Sequence, residues 1–174
     1  TRFDLSARAG LKNVLSDTSV VQLDAGIKQI VPLMNLTRLI VRSSVGSVTS
    51  KQFDNLPPSL RFFTGGDETV RGFAYNSIGP REIKGDPNSD NIGGKYLFIA
   101  SAEVERKIYD QLSGVVFYDA GNASNNFGGP LAMAAGFGVR YHTPIGNFRV
   151  DIAKPFNTVI NKHWRVHITF GTDF

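Results

Sequence analysis

The stretch Trp164-Arg165-Val166-His167-Ile168-Thr169-Phe170-Gly171-Thr172-Asp173-Phe174 decides the fold class. Trp164, Val166, Ile168, Phe170 and Phe174 share one parity, and Arg165, His167, Thr169 and Asp173 the other. In an extended chain successive side chains point to opposite sides, so this stretch builds a strand with one apolar and one polar face. A helix would scatter the same residues around its circumference.

Working back along the chain, the alternation recurs to make eight segments in all. In 148–153, Phe148, Val150 and Ile152 oppose Arg149 and Asp151; in 135–143, Phe137, Val139 and Tyr141 oppose Gly136, Gly138, Arg140 and His142. Segment 112–121 sets Val116 and Tyr118 against Phe117 and Asp119. In 96–108, Tyr96, Phe98, Ala100, Ala102 and Val104 oppose Ser101, Glu103, Glu105 and Lys107. Segments 37–48, 20–29 and 2–11 follow the same rule, with Leu39, Val41, Leu23, Ile27, Phe3 and Leu5 on the apolar parity. Stretch 102–112 has the best helix propensity in the chain, but its flanks alternate and favour a strand.

Strands with one polar face belong to a half-solvated antiparallel sheet or to an outer-membrane barrel. The connections separate the two. Asp110-Gln111, Pro144-Ile145-Gly146-Asn147 and Val31-Pro32-Leu33-Met34-Asn35 read as short turns, whereas 13–19, 122–130, 157–162 and above all about 50–95 are long. Long and short connectors alternate, as in membrane barrels with long external loops and short periplasmic turns. Tyr96, Tyr109, Tyr118, Tyr141 and Trp164 fall near strand ends, where an interfacial girdle sits.

Composition fits this reading. The 174 residues include no Cys, so neither disulfides nor thiolate metal sites are available. No apolar run approaches the roughly 20 residues of a membrane helix. The net charge of +4 comes from Lys and Arg scattered along strands beside acids, which suits a lumen lining better than a nucleic-acid surface. His142, His163 and His167 have no carboxylate at metal-ligand spacing, and Asp86-x-Asn88-x-Asp90 lacks the Gly and Glu of a calcium loop. Thr1 reads as an internal point of a longer chain, because a strand pattern is already running at Phe3. The expected fold is therefore all-β, an antiparallel transmembrane barrel architecture with eight strands present.

The long connector holds Leu60-Arg61-Phe62-Phe63-Thr64-Gly65-Gly66-Asp67-Glu68-Thr69-Val70-Arg71-Gly72-Phe73. Its aromatics favour a packed loop over a disordered one. On the residues alone, Arg71 reads as a solvated loop charge. The stretch resembles the RFF-x-GG-x-x-x-[VI]-RG-[FY] signature of the outer-membrane insertases and transporters typified by BamA, TamA and the two-partner secretion pores. Its continuation through Tyr75, Ser77, Gly79-Pro80 and Gly93-Gly94-Lys95-Tyr96 is most similar to the TamA-like members, a group related to bacterial surface antigens. Phe117-x-Asp119-x-Gly121 resembles the family's F-x-D-x-G strand motif.

The resemblance implies a sixteen-stranded barrel preceded by POTRA domains. Residues 1–174 would then be the C-terminal half-barrel with no POTRA domain, and the loop at 50–95 would insert into the lumen. It implies that Arg71 pairs with Asp119, with Glu103 as a second partner, making the loop a strut and not a catalyst. Trp164, Phe170 and Phe174 would form a C-terminal assembly signal. The implied role is non-enzymatic and without a cofactor: helping barrel proteins or autotransporters insert, in contact with outer-membrane lipid and a periplasmic TamB-like subunit. Two half-barrels could also pair as a homodimer. Rival readings are a two-partner transporter, a closed eight-stranded adhesin or pore, and a soluble β-barrel carrier.

Overall fold

The computed structural model describes residues 1–10, 19–83, 86, 89–156 and 163–171. Eight strands form one sheet: β1 (Arg2–Gly10), β2 (Val20–Met34), β3 (Thr37–Ser50), β4 (Tyr96–Lys107), β5 (Leu112–Ser124), β6 (Ala132–Thr143), β7 (Gly146–Pro155) and β8 (Arg165–Gly171). Each strand pairs antiparallel with the next, so the spatial order is the chain order. Connections β2–β3, β4–β5 and β6–β7 are tight and share one end of the sheet, while the long connections share the other. β1 and β8 each have one strand neighbour, so within the described residues the sheet is open and not a closed eight-stranded barrel.

The strands run longer than their alternating cores. β2 continues through Val31–Met34, which composition reads as a turn; the reversal instead falls at Asn35–Leu36, where Leu36 takes φ 64°. Pro32 is accommodated because the pairing register shifts between Pro32 and Met34, and such an irregularity spares the proline a ladder donor. β5 likewise reaches Ser124 in the region expected as loop.

The two faces invert the usual distribution of a water-soluble protein. One face exposes Leu23, Val45, Phe98, Val116, Phe137, Val150, Ile168 and Phe170, each at least 37% accessible. Phe148 stacks near Phe170 at 4.5 Å between ring centroids, and Phe137 meets Trp164 at 6.3 Å, so this surface is laced by cross-strand aromatics. The opposite face buries Ser101, Glu103, Ser113, Asp119, Arg140 and Asp151. Apolar outside and polar inside is the arrangement of strands bathed in lipid.

What covers the polar face is the connection between β3 and β4. Its described residues turn back over that face, starting through two short 3-10 turns at Phe53–Asn55 and Pro58–Leu60. Isolated bridges Phe62 to Gly94, Thr64 to Ile78 and Arg81 to Asn91 hold the loop's two arms together. Phe53, Leu56 and Phe62 pack on Val20, Val48 and Ala123; deeper in, Val70, Phe73 and Ile78 pack on Ala134.

Glycines on the strands make room for this packing. A methyl group at Gly46 would lie 2.5 Å from the Phe62 ring, and one at Gly121 would lie 2.8 Å from Val70. These glycines are floors under specific loop side chains, and their cost in strand propensity is offset by that fit. Gly46→Ala is therefore expected to lower stability by about 1–3 kcal/mol through overpacking. Melting of the detergent-solubilised protein, with proteinase K cleavage inside 51–95, measures this; an unchanged melting point and cleavage rate would refute it.

Candidate functional site

The loop is built to deliver one side chain. Arg61 closes its base internally: Nε donates to the Leu56 carbonyl at 2.9 Å, Nη1 to Ile92 at 2.9 Å and Nη2 to Asp54 at 2.7 Å. Phe62 is buried in the outer cluster, and Phe63 lies half-buried against Gly93. Gly65 and Gly66 take φ of 106° and 114°, and Gly72 takes 91°, all in the left-handed region that side chains resist. Gly72 also passes close to the wall, where a methyl group would stand 3.3 Å from Ala134 Cβ and from the Pro155 nitrogen. Val70 on one side and Phe73 on the other are buried as anchors, and between them Arg71 points into the polar face with 2% exposure.

There the guanidinium uses every edge. Nε and Nη2 grip Asp119 at 2.8 and 2.9 Å in a two-point fork, and the Arg71 backbone N–H adds a third bond to the same carboxylate at 3.1 Å. Nη1 donates to Glu103 at 2.7 Å and to Asp151 at 3.2 Å. Ser101 donates to Asp119 at 2.7 Å, which orients the fork's acceptor. The flat face of the guanidinium lies 3.4 Å from the Phe117 ring centroid. Only arginine offers this combination of planar fork and stacking face. Arg140 completes the cluster by bridging Asp151 and Glu103, so two cations sit among three carboxylates.

Burial alone would push the Arg71 pKa down. The hydrogen bond and charge of Asp119, and then those of Glu103, outweigh it and hold the guanidinium charged more firmly than an ordinary arginine. The loop therefore arrives as a permanent cation across the whole physiological range.

The loop tip also reaches the last strand. The Gly72 N–H donates to His167 Nε2 at 2.9 Å, and Thr169 donates to Asp67 at 3.1 Å. An N–H can only donate, so His167 Nε2 carries a lone pair, and the neutral ring has its proton on Nδ1.

The residues singled out in the sequence thus meet around one point: Arg71, Asp119 and Glu103 directly, Phe117 as the stacking surface, and Gly121 beneath Val70. Trp164 and Phe170 lie away from it on the exposed apolar face, and Phe174 lies outside the described residues. Sequence reading did not assign Asp151, Arg140, Ser101 or His167 to the site. Their parity placed them on the polar face, but only the sheet register shows which of many polar residues share the centre. Replacing Arg71 by Ala takes the fork from buried Asp119 and leaves Arg140 to hold Glu103 and Asp151, and such losses cost about 3–5 kcal/mol. Arg71→Ala should lower the melting temperature and open 51–95 to proteinase K, with Arg71→Lys, which lacks the fork, intermediate; wild-type values for both variants would refute the strut.

A profile of the Omp85 superfamily domain matches residues 1–174. The chain is 28% identical over 128 residues to the outer membrane protein assembly factor BamA of Neorickettsia risticii (strain Illinois), covering 67% of this chain and 16% of that protein. It is 28% identical over 125 residues to the BamA of Nitratidesulfovibrio vulgaris, covering 67% and 15%. The chain thus spans a small part of these relatives' length. Among solved structures, BamA from Haemophilus ducreyi lacking POTRA domains 1–3 superposes with a TM-score of 0.78 at 20% identity, over 97% of this chain and 38% of that one. The inverted faces, the inward loop and these matches agree: the chain belongs to the Omp85 superfamily and is part of a β-barrel of the bacterial outer membrane.

Proposed function

We propose that residues 1–174 are the C-terminal half of a sixteen-stranded barrel in an outer-membrane protein assembly factor of the TamA-like kind, which helps autotransporters and other barrel proteins enter the membrane. The observation that carries this reading is the anchored loop: 51–95 is fixed by Arg71 to β4, β5 and β7 at once. A loop so held braces a wide wall. On this reading the loop's role is one of shaping and not of bond chemistry, in keeping with relatives named as assembly factors. Among the described residues β1 and β8 each have one strand neighbour, and a backbone edge left open in this way is a template for an incoming strand or for the rest of a larger sheet. Two relatives bear the name outer membrane protein assembly factor, which supports the general role. The TamA-like assignment rests on the loop's continuation through Gly79-Pro80 and Gly93-Gly94-Lys95-Tyr96, and the TamB-like partner rests on that assignment in turn.

Depletion of the full-length protein, with quantification of folded outer-membrane proteins, tests the reading. Loss confined to a subset that includes autotransporters is the expected result. Loss of all barrel proteins would move the assignment to a BamA-like general factor, and unchanged levels of every barrel protein would overturn the assembly role.

A further inference from the structure

The connection between β5 and β6, residues 125–131, folds back along the outward side of the sheet. Two contacts fix it there. Phe127 meets Tyr96 edge-on at 6.0 Å between ring centroids, and a methyl group at Gly129 would stand 2.9 Å from Asn122 Nδ2 and 3.2 Å from Ser124 Oγ. The ladder register puts Tyr96, Asn122 and Ser124 on the same parity as Val45 and Phe98, which is the apolar face. Ser124 Oγ also donates to the Asn126 carbonyl, which ties down the start of the flap.

A groove of about 930 Å³ lies between this flap and the wall. That is within the roughly 300–1,000 Å³ of small-ligand sites. Its floor follows one line of the register: Leu5, Ala25, Val45, Phe98 and Asn122 are successive partners across β1 to β5. The lining side chains of outward parity are all uncharged. Asp24 also borders the groove, but its side chain belongs to the polar face, where Ser6 donates to it at 2.8 Å. Phe127 is 92% exposed, the highest value of any large apolar side chain among the described residues. An apolar ring so exposed beside an apolar groove marks a binding surface.

The occupant follows from continuity. The floor belongs to the same apolar face that Val116, Phe137 and Ile168 extend across the sheet, and that face is the membrane-facing wall of an outer-membrane barrel. The line of the floor crosses five strands, about 19 Å at ~4.8 Å per strand. Barrel strands tilt by about 45°, so a line across them also runs steeply into the bilayer. Elsewhere on the wall a lipid chain touches protein on one side, whereas here the flap holds it from two. We propose that this groove binds one acyl chain of a membrane lipid, held between the wall of β1 to β4 and the Phe127 flap. Uncharged walls suit the chain and not the headgroup. The inference does not depend on the assembly role.

The test titrates the full-length protein, exchanged into a mild nonionic detergent, with phosphatidylethanolamine, and reads bound lipid by native mass spectrometry. One lipid that binds the wild type saturably is the expected result. Val45→Trp, which fills the floor, should weaken that binding at least tenfold. Phe127→Ala, a change at an exposed position, should weaken it at least threefold, and it decides the matter if Val45→Trp does not fold. Val139→Trp, on the same face but outside the groove, should bind as the wild type does. A wild type that binds no lipid saturably would overturn the site. So would wild-type binding by Phe127→Ala, or a loss in Val139→Trp equal to that in Val45→Trp. The same spectra count protein copies: a wild-type dimer that Phe127→Ala abolishes would assign the groove to a second copy and overturn the lipid.

Discussion

A guanidinium driven away from water must find its charge and all its N–H groups satisfied, and that requirement organises this molecule. Arg71 satisfies it with carboxylates from three strands, so those strands must stand at one curvature and one register for the bonds to close. A buried ion cluster is poor evidence of raw stability, because desolvation offsets most of the Coulomb attraction. Its value lies in discrimination. A sheet slipped by a single residue would turn Asp119 to the lipid side and leave the arginine without its fork. The loop and the wall therefore specify each other.

The glycines carry the same logic in steric form. Gly46 admits Phe62, Gly121 admits Val70, and Gly138 leaves space that a methyl group would take from the Asp151 carboxylate. In strand terms each is a weak choice. Taken with the side chain it accommodates, each is a keyed position, which reconciles a glycine-bearing sheet with a well-packed interior.

Much of this was legible from residues alone. Parity along Trp164–Gly171 and along the segments of β3 to β7 set the faces correctly because lipid and lumen impose a strict two-residue period. Strand ends were less legible: β2 keeps Pro32 through a register shift, and no local signal announces a shift that depends on the partner strand. The grouping of Arg71 with Asp119 and Glu103 came from a family resemblance, not from spacing, since contacts between positions 71, 103 and 119 are non-local. Asp151 and Arg140 had the right parity but nothing to distinguish them from Asp24 or Arg38, because which polar residues converge is settled by register and curvature together.

The loop's reach extends to the last strand. It grips β8 from within, through His167 and Thr169, in addition to the bonds that Arg71 makes to β4, β5 and β7. Opening free energy follows local contact density. β8 is thus a stiff jamb, backed from inside by the same brace that holds the middle of the wall.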